Sequence, residues 1–316
     1  APATGTRLHR GAGAGGAGSR FVTRVLMTAD TVGGVWTYAL DLARALGEQG
    51  VEVTLFAMGG PAPPSGWAEA AEIPTLTLIE TDHRLEWMEE PWSDVDDAGR
   101  RLLELEREIR PDVVHLNGYA HAALPFAAPK LVVGHSCVLS WWQAVHGVPA
   151  PARWDVYRQR VRRGLRSADL VLAPTWAMLD ALERLYGPFA SSGVVYNGRP
   201  GDLFAAAAKE DLVFAAGRLW DPAKNLAALE AIAGRLSWPI VVAGSDVAPG
   251  EEAAAGDDVE PETTGVRRLG RLTPEEVAGW LARASIYALP ARYEPFGLSV
   301  LEAALAGCAR VLGDLP

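Results

Sequence analysis

The chain has little cysteine, no long apolar run and a deficit of positive charge. Its two cysteines, Cys137 and Cys308, lie far apart and fit no metal-ligand or redox spacing, so a disulfide scaffold and a zinc module are excluded and a reducing cytoplasm is the expected compartment. No stretch approaches the roughly 18 apolar residues of a membrane span, and the opening segment lacks the apolar core of a signal peptide, so a soluble protein is expected. Lys and Arg number 29 against 39 Asp and Glu, a net charge of −10. That balance disfavours a nucleic-acid partner held by general phosphate attraction, so any anion must be met by a local site. His115, His121, His135 and His146 offer no i,i+4 pair, and no bound metal is expected.

What is present is material for two ordinary domains. The 316 residues are 49% hydrophobic and 22% charged, enough for buried cores in domains of roughly 100–200 residues each. Ala1 to Arg20 is Ala- and Gly-rich, dotted with Arg, without acidic residues and with Leu8 as its one large apolar residue, and is expected to be a disordered tail. Its Gly11-x-Gly13-x-x-Gly16 pattern follows no strand and so is not read as a dinucleotide fingerprint.

Beyond the tail, short continuous apolar runs recur: Arg24 to Ala29, Val51 to Phe56, Asp112 to Leu116, Leu131 to Gly134, Asp169 to Ala173, Leu212 to Ala216, Ile240 to Ala243, Ile286 to Leu289 and Ala309 to Leu312. Val266 to Leu269 is a further candidate. Continuous rather than alternating hydrophobicity marks strands covered on both faces, as in a parallel sheet. Helical patterns occupy Val35 to Gln49, Val95 to Ile109, Arg153 to Ser167, Trp176 to Tyr186, Ala223 to Leu236, Pro274 to Ala282 and Ser299 to Ala306. The fold class is therefore α/β, with two doubly wound, Rossmann-like parallel-sheet domains. The turn-rich stretch Asn197-Gly198-Arg199-Pro200-Gly201 suits a connection, giving a first domain over 21–198, a linker over 199–209 and a second domain over 210–316. Folds of this kind place ligands at the carboxyl ends of their strands, and two facing domains would form a cleft there.

Three strand-end segments carry chemistry. Gly33 and Gly34 follow the first strand at a helix start, where glycine lets backbone N–H groups approach an anion. In Gly217-Arg218-Leu219-Trp220-Asp221-Pro222-Ala223-Lys224, Asp221 reads as an N-cap and Pro222 as a first helical residue. Lys224 then falls in the first helical turn, against the positive dipole end, a placement a phosphate ligand would justify. Arg218 and Lys224 together suit a diphosphate. In Ala291-Arg292-Tyr293-Glu294-Pro295-Phe296-Gly297-Leu298-Ser299-Val300-Leu301-Glu302, Gly297 and Leu298 sit at a helix start. There Glu294 lies in a loop, while Glu302 on the helix can accept two hydrogen bonds from a vicinal diol such as a ribose.

Glu294-x7-Glu302 with Phe296-Gly297 between, Gly217-Arg218 with Lys224, Asn197-Gly198 and Gly33-Gly34, in this order and spacing, resemble the family-4 group of retaining glycosyltransferases with the GT-B fold, over roughly Phe21 to Pro316. The resemblance implies a nucleotide-diphosphate sugar as co-substrate held mainly by the second domain, a hydroxyl acceptor (saccharide, lipid or small molecule) held mainly by the first, and no cofactor or obligatory metal. It implies that Arg218, Lys224, Gly33, Gly34, Gly297 and Leu298 meet the diphosphate, Glu302 the ribose and Glu294 the transferred sugar. A family histidine that points at the donor sugar resembles His135 by position, making His135 and Glu294 the catalytic candidates. His115 and His121 read as structural residues.

Asn117, Trp141 and Trp142, expected in loops after strands, are acceptor-side candidates. The helix over Arg153 to Ser167 sets an apolar stripe of Trp154, Tyr157, Val161 and Leu165 against six arginines. The stripe suits packing on the sheet, and the basic face offers peripheral contact with the inner membrane face as an alternative. Only nineteen residues follow Gly297, fewer than the resemblance implies, so the second domain is expected to be incomplete at its C-terminus. A nucleotide-sugar 2-epimerase of the same fold and a non-catalytic nucleotide-sugar-binding fragment stand as alternatives.

Overall fold

The computed structural model of the protein describes residues 7–10, 22–62, 64–248 and 265–315. The chain divides into two compact units, residues 1–140 with 149–197, and residues 141–148 with 198–316.

The chain up to residue 197 runs β1 (Arg7–Arg10), β2 (Arg24–Asp30), α1 (Gly34–Glu48), β3 (Glu52–Met58), α2 (Pro64–Ala71), β4 (Leu76–Glu80), α3 (Trp92–Ile109), β5 (Val113–Leu116), β6 (Lys130–Val133), α4 (Val138–His146), α5 (Asp155–Ser167), β7 (Leu170–Ala173), α6 (Trp176–Tyr186) and β8 (Ser192–Val194), all in the first unit except α4 from Trp141 onward. The sheet of the first unit has the order β1-β4-β3-β2-β5-β6-β7-β8. All neighbours are parallel except β1, which pairs antiparallel with β4 from Arg7 opposite Glu80 to Arg10 opposite Thr77. Alternate residues of β2 enter different cores: Leu26 joins Phe56, Val114 and the faces of α3, α5 and α6, whereas Met27 joins Leu55 and the face of α1. Burial on both faces is the physical reason these strands carry no polar alternation.

The second unit runs β9 (Glu210–Ala216), α7 (Leu226–Ala233), β10 (Ile240–Ala243), β11 (Val266–Arg268), α8 (Pro274–Arg283), β12 (Ala284–Leu289), α9 (Leu298–Leu305) and β13 (Ala309–Leu312). Its five parallel strands have the order β11-β10-β9-β12-β13. Phe214, Tyr287 and Leu281 anchor one face, Val213, Val242 and Leu229 the other. α8 starts with a full capping box between Thr273 and Glu276, satisfying two amides that a helix start otherwise leaves unpaired.

Four expectations are corrected. Part of the expected tail, Arg7–Arg10, is an edge strand, because antiparallel pairing satisfies backbone groups without demanding apolar side chains; the glycine pattern at 11–16 lies outside the described residues. Trp141 and Trp142 are in helix α4, not a loop. Residues 141–148 group with the second unit, where the Trp141 indole N–H donates to Asp221 Oδ1 at 3.0 Å. Finally, the segment over 59–92, for which the sequence shows neither an apolar run nor a helical pattern, contains α2 and β4, so it extends the sheet.

Both units reverse the direction of strand order beside their first parallel strand. In the first unit the switch falls between β2 and β5, in the second between β9 and β12. The crevice at the carboxyl ends of such a strand pair is where open α/β sheets bind ligands.

Candidate active site

At the switch point of the first unit, the ladder between β2 and β5 ends with Met27 opposite His115. Two residues on, Asn117 takes over the pairing with its side chain. Its Nδ2 donates to the Thr28 carbonyl at 2.7 Å, and its backbone N–H donates to Thr28 Oγ1 at 3.0 Å. Asn117 Oδ1 faces two imidazoles, His135 Nε2 at 2.9 Å and His115 Nε2 at 3.3 Å. The Tyr38 ring of α1 meets the His135 ring edge-on, with centroids 4.5 Å apart, and lies 6.1 Å from His115. Burial pushes His115 down to about 4 and His135 down to about 3, the latter also under the influence of His115, while burial alone pushes the Tyr38 phenol up to about 12. Both histidines are therefore neutral near pH 7.

Glu86 supports this cluster from below. Its carboxylate accepts the Tyr119 N–H at 3.1 Å and the Ala120 N–H at 2.8 Å, pinning the turn that follows Asn117. Burial pushes Glu86 up to about 7, against the pull of those two amides. Gly33 caps α1 with φ 105°, a left-handed conformation that favours glycine, and Gly34 is the first helical residue. Asp30 Oδ1 accepts the Val32 N–H at 3.0 Å, closing the turn between β2 and α1.

At the switch point of the second unit, the loops after β9 and β12 are stitched together. The Arg292 N–H donates to the Ala223 carbonyl at 2.7 Å, and Asn225 Nδ2 donates to the Pro290 carbonyl at 2.9 Å. Lys224 and Glu294 form an ion pair across these loops. Glu294 also accepts the Gly297 N–H at 3.1 Å. Gly297 caps α9 with φ 84°, a left-handed conformation that favours glycine, and a Cβ there would crowd the Val300 side chain at 3.0 Å. Leu298 opens α9. One turn along, the Glu302 carboxylate meets Arg199 Nε at 2.9 Å, with Arg199 only 6% exposed at the side chain. Arg218 donates to Asp221 Oδ2 at 2.9 Å.

Two local expectations change here. Lys224 is not in the first turn of an α-helix: Pro222–Lys224 is a short 3₁₀ turn capped by Asp221, Asn225 turns left-handed at φ 55°, and α7 begins only at Leu226. The cation is stabilised by Glu294, and no helix dipole opposes it. The Gly297 amide, expected to await phosphate, is occupied by Glu294.

Asn117 and His135 are thus together in the first unit, and Arg218, Lys224, Glu294, Gly297, Leu298 and Glu302 line adjacent strand ends in the second. Trp141 and Trp142 belong to the second unit. Their rings pack on each other and on His146, with Trp142 and His146 centroids 4.3 Å apart. The arginines of α5 are largely engaged: Arg158 with Asp155, Arg160 with Asp96, Arg162 with the Leu185 carbonyl and Arg166 with the Tyr186 and Gly187 carbonyls. His121 is buried and bonded to the Val95 carbonyl. The Asp94-Val95-Asp96 triplet lies on α3, where Asp94 accepts the Arg84 N–H and Asp96 pairs with Arg160. Among the described residues no group of three or more His, Cys, Asp or Glu could hold a metal ion, and no helix is long and apolar enough to cross a membrane. Sequence reading missed Tyr38, Glu86 and Arg199, none of which belongs to a recognisable motif.

The neutral histidines give stability a pH signature. A histidine whose folded pKa lies below its unfolded value contributes stability that is present above about 6.5 and lost as pH falls towards the folded value. Glu86 acts oppositely, contributing below about 4.5 and losing that contribution as pH rises towards about 7. His115→Gln is therefore expected to flatten the acid limb of stability between pH 6.5 and 4 by up to about 1.4 kcal/mol per pH unit. Urea unfolding across that range checks it; an unchanged slope would mean that His115 is not held neutral.

Two doubly wound units with ligand-type clusters at their switch points define the GT-B class of α/β proteins. The chain belongs to Glycosyltransferase Family 4, whose family model matches residues 32–200, more than half of the chain, and residues 210–316 match the model described as Glycosyl transferases group 1. Glycogen synthase of Mycobacterium tuberculosis is 28% identical over 256 residues, covering 69% of this chain and 56% of that protein; the chain thus spans little more than half the length of the curated relatives it matches. Among solved structures, sucrose-phosphate synthase from Thermosynechococcus elongatus has a TM-score of 0.75 at 18% identity, covering 93% of this chain and 82% of its own. Anabaena HepE in complex with UDP-glucose has a TM-score of 0.67 at 16% identity, covering 92% and 80%.

Proposed function

We propose that the protein is a retaining glycosyltransferase that moves a sugar from a nucleotide-diphosphate donor to a hydroxyl acceptor. The observation that carries this reading is the Lys224, Glu294 and Gly297 cluster at the β9/β12 switch point. A cation, a carboxylate and a helix start in one hydrogen-bonded group suit a ligand that is anionic at one end and rich in hydroxyls at the other. The HepE complex with UDP-glucose supports the donor class.

In this reading Arg218 and Lys224 take the diphosphate, with Leu298 at the start of α9 and the Gly33-Gly34 turn adding backbone amides, since the Gly297 amide is held by Glu294. Glu302, oriented by Arg199, takes the ribose diol. Glu294 holds hydroxyls of the transferred sugar, and His135 contacts the same sugar. As the anomeric carbon–oxygen bond breaks, its electron pair goes to the leaving diphosphate. The acceptor hydroxyl forms the new bond on the same face and passes its proton to a phosphate oxygen. A protein nucleophile is not invoked, because Asp30 accepts a backbone amide of its own turn and Glu86 is turned onto those of Tyr119 and Ala120.

The diphosphate charge is met by Arg218, Lys224 and backbone amides, so turnover is expected to survive a chelator. A panel of nucleotide sugars screened for protection against thermal unfolding, followed by product analysis with and without EDTA, tests both statements. Loss of activity with EDTA and recovery with magnesium or manganese would overturn the metal-free reading. Donor consumption without an acceptor, or binding without any turnover, would overturn glycosyl transfer itself.

A further inference from the structure

Asn117 is expected from sequence to face an acceptor, yet both ends of its amide are engaged within the first unit. A carbonyl oxygen only accepts hydrogen bonds, so the end of the amide 2.7 Å from the Thr28 carbonyl must be the nitrogen. The opposite end, Oδ1, then faces the histidines, and an amide oxygen only accepts. Each imidazole nitrogen that meets it must therefore carry its hydrogen: His135 Nε2 at 2.9 Å and His115 Nε2 at 3.3 Å. Two donors occupy both lone pairs of Oδ1. A neutral imidazole protonated at Nε2 has its lone pair at Nδ1.

We propose that Asn117 is a positioning residue that, oriented by the Thr28 backbone carbonyl, locks His135 in the Nε2–H tautomer and so makes it a hydrogen-bond acceptor, through Nδ1, toward its ligand. The group it selects is a hydroxyl, which can donate to Nδ1; a carboxylate or phosphate oxygen at the same place would meet a lone pair. The identity of that ligand as the transferred sugar rests on the function proposed above, whereas the tautomer does not. His115 is the second donor that saturates Oδ1, and Tyr38 from α1 fixes the plane of the His135 ring by edge-on contact. The titratable groups facing His135 are thus Tyr38 and His115, and both are neutral near pH 7.

Long-range 15N–1H correlation spectra of the 15N-labelled full chain, recorded without any nucleotide sugar, test the lock directly. Six histidines are present, and the signals of His115 and His135 are assigned by His115→Gln and His135→Gln. The expected result is a neutral His135 protonated at Nε2 from about pH 6 to about pH 8. Asn117→Ala should produce a detectable Nδ1–H population. An Nδ1–H or doubly protonated His135 in the unsubstituted protein overturns the proposal, as does an unchanged tautomer in a folded Asn117→Ala variant. The unsubstituted spectrum decides the matter even where a variant fails to fold. A protein that showed the lock but transferred no sugar would refute the enzymatic reading and leave the lock standing.

Discussion

Glu294→Gln is expected to lower kcat by on the order of 10²–10³-fold, about 2.7–4 kcal/mol of transition-state stabilisation, with donor affinity changed only a few-fold. As the bond to the leaving diphosphate breaks, positive charge develops at the anomeric carbon, and a fixed carboxylate gains attraction there that it lacks in the ground state. The carboxylate is held before substrate arrives by Lys224 on one oxygen and the Gly297 amide on the other, so little reorganisation is needed at the moment of reaction. Gln keeps a hydrogen-bonding oxygen but removes the charge, which isolates the electrostatic contribution. Glu302→Gln provides the contrast. Its carboxylate, paired with Arg199, is assigned to the ribose and acts in ground-state recognition, so its loss should raise the donor KM with kcat near that of the unsubstituted protein. Steady-state kinetics with a donor taken from the binding panel separates the two; the reverse pattern would exchange the roles of the glutamates.

The difference between what sequence made visible and what it hid has a physical pattern. β2, β3, β5, β6, β7, β9, β10 and β12 coincide with continuous apolar runs, because strands covered on both faces must be apolar at successive positions; β13 coincides with the run over Ala309 to Leu312 although all four of its residues are exposed at the sheet edge. β4, with the sequence Leu-Thr-Leu-Ile-Glu, mixes a polar threonine and a glutamate into its run, and β8 has only three residues, too few for any period to register. β1 is invisible because an edge strand is specified by its neighbour's free backbone groups. The start of α7 differs from the sequence expectation for a local reason: Asp221 and Pro222 do cap a turn, but Asn225 adopts the left-handed conformation and donates to the Pro290 carbonyl at the end of the neighbouring strand β12, a partner distant in sequence. Glycines and glutamates at strand ends were legible because their chemistry is tied to a motif spacing. Tyr38, Glu86 and Arg199 were not. Each takes its role from a partner distant in sequence, His135, the Tyr119 turn and Glu302, and no property of the residue alone marks it.

The pairing seen in the second unit also determines how the diphosphate cations should respond to substitution. Arg218→Ala and Lys224→Ala are each expected to weaken binding of a nucleoside diphosphate by about 1.5–3 kcal/mol, the range for hydrogen bonds to charged groups, while binding of the nucleoside stays nearly intact. Neither cation is idle before ligand arrives. Arg218 is paired with the 3% exposed Asp221, which also accepts the Ala223 amide, and Lys224 is paired with Glu294. A phosphate must therefore compete with or share each carboxylate, and part of its Coulomb gain is offset by the pair it weakens. Lys224→Ala has a second cost, since it leaves the Glu294 charge uncompensated beside an incoming anion, which places it at the upper end of the range. Glu294→Gln does the opposite, releasing Lys224 and removing a negative charge, so it should bind nucleoside diphosphate at least as tightly as the unsubstituted protein even while its turnover collapses. Titration calorimetry with nucleoside and nucleoside diphosphate on the three variants reads all of these. Equal losses for the two ligands in Lys224→Ala, or a loss of diphosphate affinity in Glu294→Gln as large as that in Lys224→Ala, would place the phosphates elsewhere.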